Sequence, residues 1–388
     1  MTDSAAERRQ LAATLARDGA LTSPGMRAAV EAVPRELFLL PGVFLDEGRA
    51  WRPVTASGTD QDTWLGLAYS LDTLTTQLDG HLTADHADGP VAGVPTSSST
   101  DPATVVGMIE NLEAQPGNQV LEIGTGTGYS AALMCHILGE DNVTTVEVDP
   151  AVAGRADAAL ESAGYSTWTV TGDGLLGHPR RAPYDRVIAT CAARRIPYAW
   201  VRQTRPGGVI LCTIGSWAYG TGLAKVVVRE DGTAEGEFAG RSSFMQARAQ
   251  AVEPVAGDLS ARTAYADSER ACRTNPTALE EWMPAFLAQL AAPGAQYVRA
   301  VGGDGTPLRY LFDPERESFA EFVAGGDGGW VVRQGGPVAL WDVVEESLVA
   351  WRDAGEPDIT AVRVHITAST HTYQIADRPA LRWRHVLG

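Results

Sequence analysis

A chain of 388 residues, 44% hydrophobic and 20% charged, is long enough for two domains and apolar enough to bury an ordinary core. Its net charge of −17 opposes a phosphate backbone or an anionic bilayer, so neither nucleic acid nor membrane is an expected partner. No apolar run of signal or membrane-spanning length follows Met1 or occurs later, which makes a cytoplasmic location the expectation.

Residues 5–19 carry the pattern of an amphipathic helix closed by Gly19, and residues 24–33 a second that stops before Pro34. Residues 42–95 show no period and are punctuated by Gly, Asp, Thr and Pro; an insert of that length usually carries or covers a site. A helix returns over 104–112 and ends at Pro116-Gly117. Strands and helices then alternate: strand 119–123, helix 129–138, strand 143–148, helix 151–163, strands 166–170 and 184–189, helix 198–204, and strands 209–214 and 223–229. Such alternation makes βαβ units and a doubly wound parallel sheet. After the turn at Asp231-Gly232 the pattern changes to a helix over 279–290, short strands, a helix over 340–354 and alternating segments at 361–367 and 372–375. The expected fold class is α/β: a Rossmann-like domain over 1–230 with the insert 42–95, and an additional C-terminal α+β domain over 231–388.

Cys135, Cys191, Cys212 and Cys272 form no CxxC pair, and the seven histidines are scattered, so no metal site is expected. The most informative segment is Val120-Leu121-Glu122-Ile123-Gly124-Thr125-Gly126-Thr127-Gly128-Tyr129, a buried strand running through a glycine-rich turn into a helix. Glycines let the backbone turn sharply and approach a ligand closely, although the triplet alone equally suits a plain strand-to-helix turn. Three features add weight. The spacing is GxGxG behind an acidic residue, Glu122, where dinucleotide folds favour GxGxxG. Glu147, followed by Val148, ends the second strand, where a carboxylate can accept from both ribose hydroxyls. Asp173 and Gly174 follow the third strand, where a carboxylate can face an adenine amino group. The set favours S-adenosylmethionine over NAD or ATP, and no Walker lysine follows the glycines.

Val33-Pro34-Arg35-Glu36-Leu37-Phe38, Ser98-Ser99-Thr100-Asp101-Pro102, the glycine turn, Gly172-Asp173-Gly174 and the segment from Tyr184 through Thr190-Cys191 to Pro197 occur in that order. In this the chain resembles the protein-L-isoaspartate O-methyltransferase family over roughly residues 20–230. The resemblance implies a class I methyltransferase with S-adenosyl-L-methionine as cofactor and S-adenosyl-L-homocysteine as product. It implies a cofactor site at Glu122, Gly124, Thr125, Gly126, Thr127, Gly128, Tyr129, Glu147, Val148, Asp173 and Gly174. It also implies catalytic positions at Thr100, beside Ser99, and at Thr190 and Cys191, which line the transfer cavity. Thr100 stands where the family usually has serine and keeps the hydroxyl; residues 97–100 also suit a helix cap. A nucleophilic role for Cys191 is the alternative to lining. Trp51, Trp64 and Tyr69 fit a peptide groove or an anchor for the insert equally.

The C-terminal domain reads as a departure from plain repair enzymes. Tyr69-Ser70-Leu71-Asp72, Thr76-Gln77, Pro95–Ser99, Trp341–Glu345 through Trp351, and Thr370–Pro379 resemble the subset associated with ATP-grasp peptide maturation, the graspetide pathway, whose relatives act on lanthipeptides and lasso peptides. That likeness implies a modified precursor peptide as partner and methylation of one aspartate, followed by aspartimide formation. The rival readings are isoaspartate repair, a methyltransferase acting on small molecules or RNA, and a non-catalytic peptide-binding protein.

Overall fold

The computed structural model describes residues 4–252, 254–302, 305–325, 328–376, 378 and 381–387. The chain forms two compact units that interleave in sequence. The first holds residues 1–191, 199–211 and 227–232, and the second 192–198, 212–226 and 233–388.

The first unit begins with helices α1 (Ala5–Arg17) and α2 (Pro24–Ala32), the latter capped by Ser23, whose hydroxyl accepts from the Met26 amide. The segment that reads as irregular is instead an antiparallel sheet with a helix between its second and third strands. Strands β1 (Gly42–Asp46), β2 (Trp51–Thr55), β3 (Leu74–Leu78) and β4 (Pro95–Ser99) lie in the order β2-β1-β3-β4, and α3 is Gln61–Ala68. Hydrophobic alternation fails there for a physical reason: Thr75, Gln77, Ser97 and Ser99 occupy buried positions, and Pro53 interrupts β2. Helix α4 (Pro102–Leu112) follows, with Asp101 accepting from the Thr104 amide and Pro102 at its first position.

Strand β5 (Val120–Ile123), helix α5 (Tyr129–Leu138), β6 (Val143–Glu147), α6 (Pro150–Ser162), β7 (Trp168–Thr171), β8 (Tyr184–Ala193), α7 (Tyr198–Gln203) and β9 (Thr204–Ile214) complete the winding. The order is β9-β8-β5-β6-β7, and the β8-β5, β5-β6 and β6-β7 pairs are parallel. Every residue of β5 and β6 is buried, as in a sheet covered on both faces. This central position places the C-terminal ends of β5 and β6 side by side, where α/β sheets bind ligands.

The second unit contains β10 (Gly222–Val228) in part and β11 (Ala234–Arg241), short helix α8 (Leu259–Arg262), β12 (Ser268–Ala271), α9 (Trp282–Ala291), β13 (Gln296–Val301), β14 (Pro307–Asp313), β15 (Ser318–Ala324), β16 (Trp330–Gly335), α10 (Leu340–Asp353), β17 (Val362–Ile366), β18 (Thr370–Ile375) and β19 (Arg382–Val386). Strands β12-β16-β15-β14-β13 make one antiparallel sheet, and β11, β17, β18 and β19 pair antiparallel in turn. Trp341 is fully buried edge-on to Phe322 at 4.9 Å. The buried Glu345 carboxylate accepts from the Arg273 and Thr274 amides at 2.6 and 2.8 Å and pairs with Arg270 at 2.7 Å. The segment singled out at Trp341–Glu345 is therefore core here; Asp377 and Pro379 lie outside the described residues. Among the described residues no helix is long and apolar enough to cross a membrane, and no group of three or more His, Cys, Asp or Glu is placed to hold a metal.

His371 on β18 faces His385 on β19 and is fully buried. Burial, reinforced by His385 and Arg195 and opposed only by the Ile196 backbone, pushes its pKa down to about 4. The fold therefore holds the ring neutral, whereas the unfolded chain takes up a proton below a pH of ~6.5. The contribution is intact above that pH and is lost as the pH falls from there through about 4. In urea unfolding between pH 7.5 and 4, wild type should lose about 3 kcal/mol more stability than His371→Phe. Parallel pH dependences for the two proteins would refute this.

Candidate active site

Strand β5 delivers the chain into the turn at Gly124–Gly128. Gly124 has φ +90° and Gly126 φ +54°, and a Cβ on Gly124 would lie 3.0 Å from Thr190 Oγ1. The turn closes by a bond from the Gly128 amide to the Thr125 carbonyl, 2.9 Å, with half-buried Thr127 between them.

Glu122 is fully buried behind this turn. Ser130 Oγ donates to one of its oxygens and Thr145 Oγ1 to the other at 2.7 Å, so the Thr125 hydroxyl donates onward to Thr145 at 2.6 Å. Burial pushes the Glu122 carboxyl up to about 7, the two hydroxyls hold it down, and the charge of Glu147 adds to the rise. Glu122 thus reaches the cofactor turn through Thr145 and Thr125 rather than by facing open space.

Glu147 closes β6 with both oxygens anchored, one by the Gly126 amide at 3.0 Å and the other by the Asp149 amide at 3.1 Å. Each oxygen keeps lone pairs that can accept from ribose hydroxyls. Gln77 on β3 donates to Asp149 at 3.3 Å and accepts from Thr96 at 2.9 Å, which fastens the inserted sheet to the start of α6. Asp149 and Gln77 lack any motif signal for this role, although Asp149-Pro150 announces a helix cap. Beyond β7, exposed Asp173 accepts from the Leu175 amide with one oxygen at 2.9 Å. A Cβ on Gly174 would come within 2.5 Å of Ile123, so the chain there needs glycine. Val148 and Leu176 stay 43% and 66% exposed, offering apolar surface next in sequence to these positions. A glycine cradle, a carboxylate with spare acceptors and a second carboxylate with apolar neighbours fit the amino-acid end, ribose and adenine of S-adenosylmethionine.

Strand β4 runs beside this turn. The Ser98 carbonyl lies 3.6 Å from the position of a Cβ on Gly126, so the end of β4 abuts the cofactor turn. Ser99 is buried; half-buried Thr100 follows, and its hydroxyl makes no hydrogen bond among the described residues. Asp101, rather than residues 97–100, caps α4. Thr190 Oγ1 donates to the Ile123 carbonyl at 3.2 Å and to that of Gly124, which ties β8 to the turn. Burial pushes the Cys191 thiol up to about 12, which favours the protonated form and speaks for lining rather than attack. Trp64 sits in the core of the insert, Trp51 donates to the Gly93 carbonyl at 3.0 Å, and Tyr69 donates to Glu36, so all three anchor the insert.

A sheet ordered β9-β8-β5-β6-β7, a glycine turn after its central strand and a carboxylate ending the next strand define a class I S-adenosylmethionine-dependent methyltransferase. Residues 84–250 match the family model described as protein-L-isoaspartate(D-aspartate) O-methyltransferase. A protein-L-isoaspartate O-methyltransferase of Thermococcus onnurineus is 30% identical over 233 residues, 60% of this chain and 88% of that relative. That of Hyperthermus butylicus is 33% identical over 238 residues, 59% and 83%. That of Ignicoccus hospitalis is 40% identical over 136 residues, 34% of this chain and 64% of the relative. The chain belongs to the protein-L-isoaspartate O-methyltransferase family, and S-adenosylmethionine is its cofactor. One solved protein-L-isoaspartate O-methyltransferase superposes on 95% of this chain and 99% of its own, with a TM-score of 0.55 at 20% identity. In fold, the C-terminal region therefore has a counterpart in that structure.

Gly126→Val should abolish S-adenosylhomocysteine binding, because a β-branched residue resists a φ of +54° and fills the cradle. Calorimetric affinity within tenfold of wild type would remove the turn from the cofactor site. Cys191→Ala should keep more than half of the wild-type turnover; complete loss would restore the thiol as a reacting group.

Proposed function

We propose that the chain transfers a methyl group to the side-chain carboxylate of an aspartate in a crosslinked, ribosomally made peptide, and that the ester then closes to an aspartimide. The observation that carries the carboxylate assignment is the unpartnered hydroxyl of Thr100 on a wall that abuts the cofactor turn. The cofactor, when bound, supplies an electrophilic methyl group. An aspartate carboxylate with a pKa of ~4 is ionised at neutral pH, so the site needs no strong base. The chain's work is alignment: Thr100 donates to one carboxylate oxygen, and Thr190 fixes the turn that carries the cofactor. One carboxylate oxygen then bonds to the methyl carbon as its bond to sulfur breaks, leaving the electron pair on sulfur. Afterwards the backbone nitrogen of the following residue attacks the ester carbonyl and methanol leaves with that nitrogen's proton.

Support for the peptide-maturation reading is the likeness at residues 69–72, 76–77 and 95–99, which the fold gathers in β3, β4 and the loop before them. Repair of isoaspartyl residues is the second reading, favoured by the names of the relatives. Mass spectrometry on crosslinked, linear and isoaspartyl peptides in parallel separates the two. Gain of a methyl followed by loss of methanol, confined to the crosslinked peptide, is expected; efficient turnover of a generic isoaspartyl peptide without preference for the constrained one means repair.

Thr100→Ala should lower kcat about 10- to 100-fold with cofactor affinity unchanged, while Thr100→Ser retains most activity, because the lost bond acts on the reacting group. An alanine variant at the wild-type rate would leave Thr100 without a role.

A further inference from the structure

Arg35 is 0% exposed and its guanidinium is fanned across two stretches of chain. One terminal nitrogen donates to the carbonyls of Ala68 at 2.6 Å and Ser70 at 3.0 Å. The other donates to the Asp72 carbonyl at 3.3 Å, to Ser99 Oγ at 3.4 Å and to the Thr100 carbonyl at 3.3 Å. All of these acceptors are neutral. The Nε–H has no partner, and among the described residues no carboxylate pairs with the group. Glu36, its neighbour in sequence, accepts instead from Ser4 at 2.5 Å and from Tyr69. Tyr129, Asp101, Tyr69 and Asp72 act on it at longer range, the ring of Tyr129, the first residue of α5, lying 5.9 Å away.

A buried charge without a counter-ion is strongly disfavoured unless something compensates it. Neutral donors would serve for tying loops together, so the charge itself calls for a use. The residue that the fan grips last, Thr100, is the one assigned to the acceptor. Resting on the reading that this site methylates a carboxylate, we propose that Arg35 positions Thr100 and supplies the positive charge that the arriving acceptor carboxylate neutralises. Arg35 acts through Thr100 and through its field, and it does not touch the cofactor. A guanidinium a few ångströms away holds a bound carboxylate ionised, lowering its pKa by about one to three units.

The test uses the full chain with an isoaspartyl peptide and the crosslinked peptide as acceptors, and the variants Arg35→Lys, Arg35→Gln and Arg35→Met. Calorimetry with S-adenosylhomocysteine reports whether each variant keeps its cofactor site, and affinities within about threefold of wild type are expected. If the Met variant fails to fold, the Gln variant, which retains donors without charge, carries the measurement. For the neutral variants the acceptor KM should rise at least tenfold. The acid limb of kcat, which reports the bound carboxylate, should move up by about one pH unit. In Arg35→Lys the limb should stay at the wild-type position while kcat falls, because a point charge replaces the fan. Neutral variants with the wild-type limb and KM would overturn the proposal. So would loss of cofactor binding in all three, which would make Arg35 a strut of the whole unit. A wild type that methylates neither peptide would sink the methyl-transfer reading itself, whereas unchanged variants in an active background sink only the role of Arg35.

Discussion

The left-handed backbone at Gly124 and Gly126 is the constraint on which the rest of the first unit turns. L side chains rarely adopt it, so the chain must hold the turn by contacts from outside. Three elements do so. From β6, Thr145 and Glu147 bond to Thr125 and to the Gly126 amide; from β8, Thr190 bonds to the carbonyls on either side of the bend; from β4, Ser98 lies against Gly126. Glu147 and Ser98 stand at or beside the C-terminal ends of their strands and Thr190 in the C-terminal half of β8, which is why one parallel sheet and one inserted antiparallel sheet can converge on a five-residue turn.

That convergence also explains why polar side chains are buried where sheets usually bury apolar ones. Gln77 and Ser99 occupy interior positions of the inserted sheet because they bond to Asp149 and Arg35 rather than to a hydrocarbon core, and Ser97 accepts from Thr76 within the sheet. A buried polar residue is tolerable when it is bonded, and once bonded it fixes position more narrowly than an apolar contact. The insert is therefore built as part of the site rather than as a cover over a finished one.

The βαβ core was legible in the sequence because short strand-like runs alternate with helical ones, and the helices after β5 and β6 end at Gly139 and Gly164. The glycine turn, Glu147 and Asp173 were legible because each stands at the end of a recognisable strand. The inserted sheet was not, since its interior polar positions erase the two-residue period. Nor was the buried fan of Arg35. Nothing at position 35 signals that its partners lie at 68–72 and 99–100, because three-dimensional closure alone brings those segments together.

A chain with net charge −17 that takes a carboxylate as substrate faces an adverse field. At physiological ionic strength that field is screened over about 8 Å, so distant surface acids contribute little at the reacting atoms. What counts are charges within a few ångströms, and there the first unit sets Glu122 and Glu147, at the glycine turn, against Arg35, which holds the end of β4. Glu122 lies buried with a pKa raised to about 7, which lessens its negative charge near neutral pH. Glu147 is bonded by two amides, so part of its charge is already met by backbone dipoles. Arg35 meets only neutral oxygens, so nothing in its fan of bonds offsets its charge, although burial lowers its pKa. The electrostatic asymmetry therefore runs from Glu147 to the end of β4, and on the reading proposed above that is the direction in which an anionic nucleophile must sit facing a sulfonium.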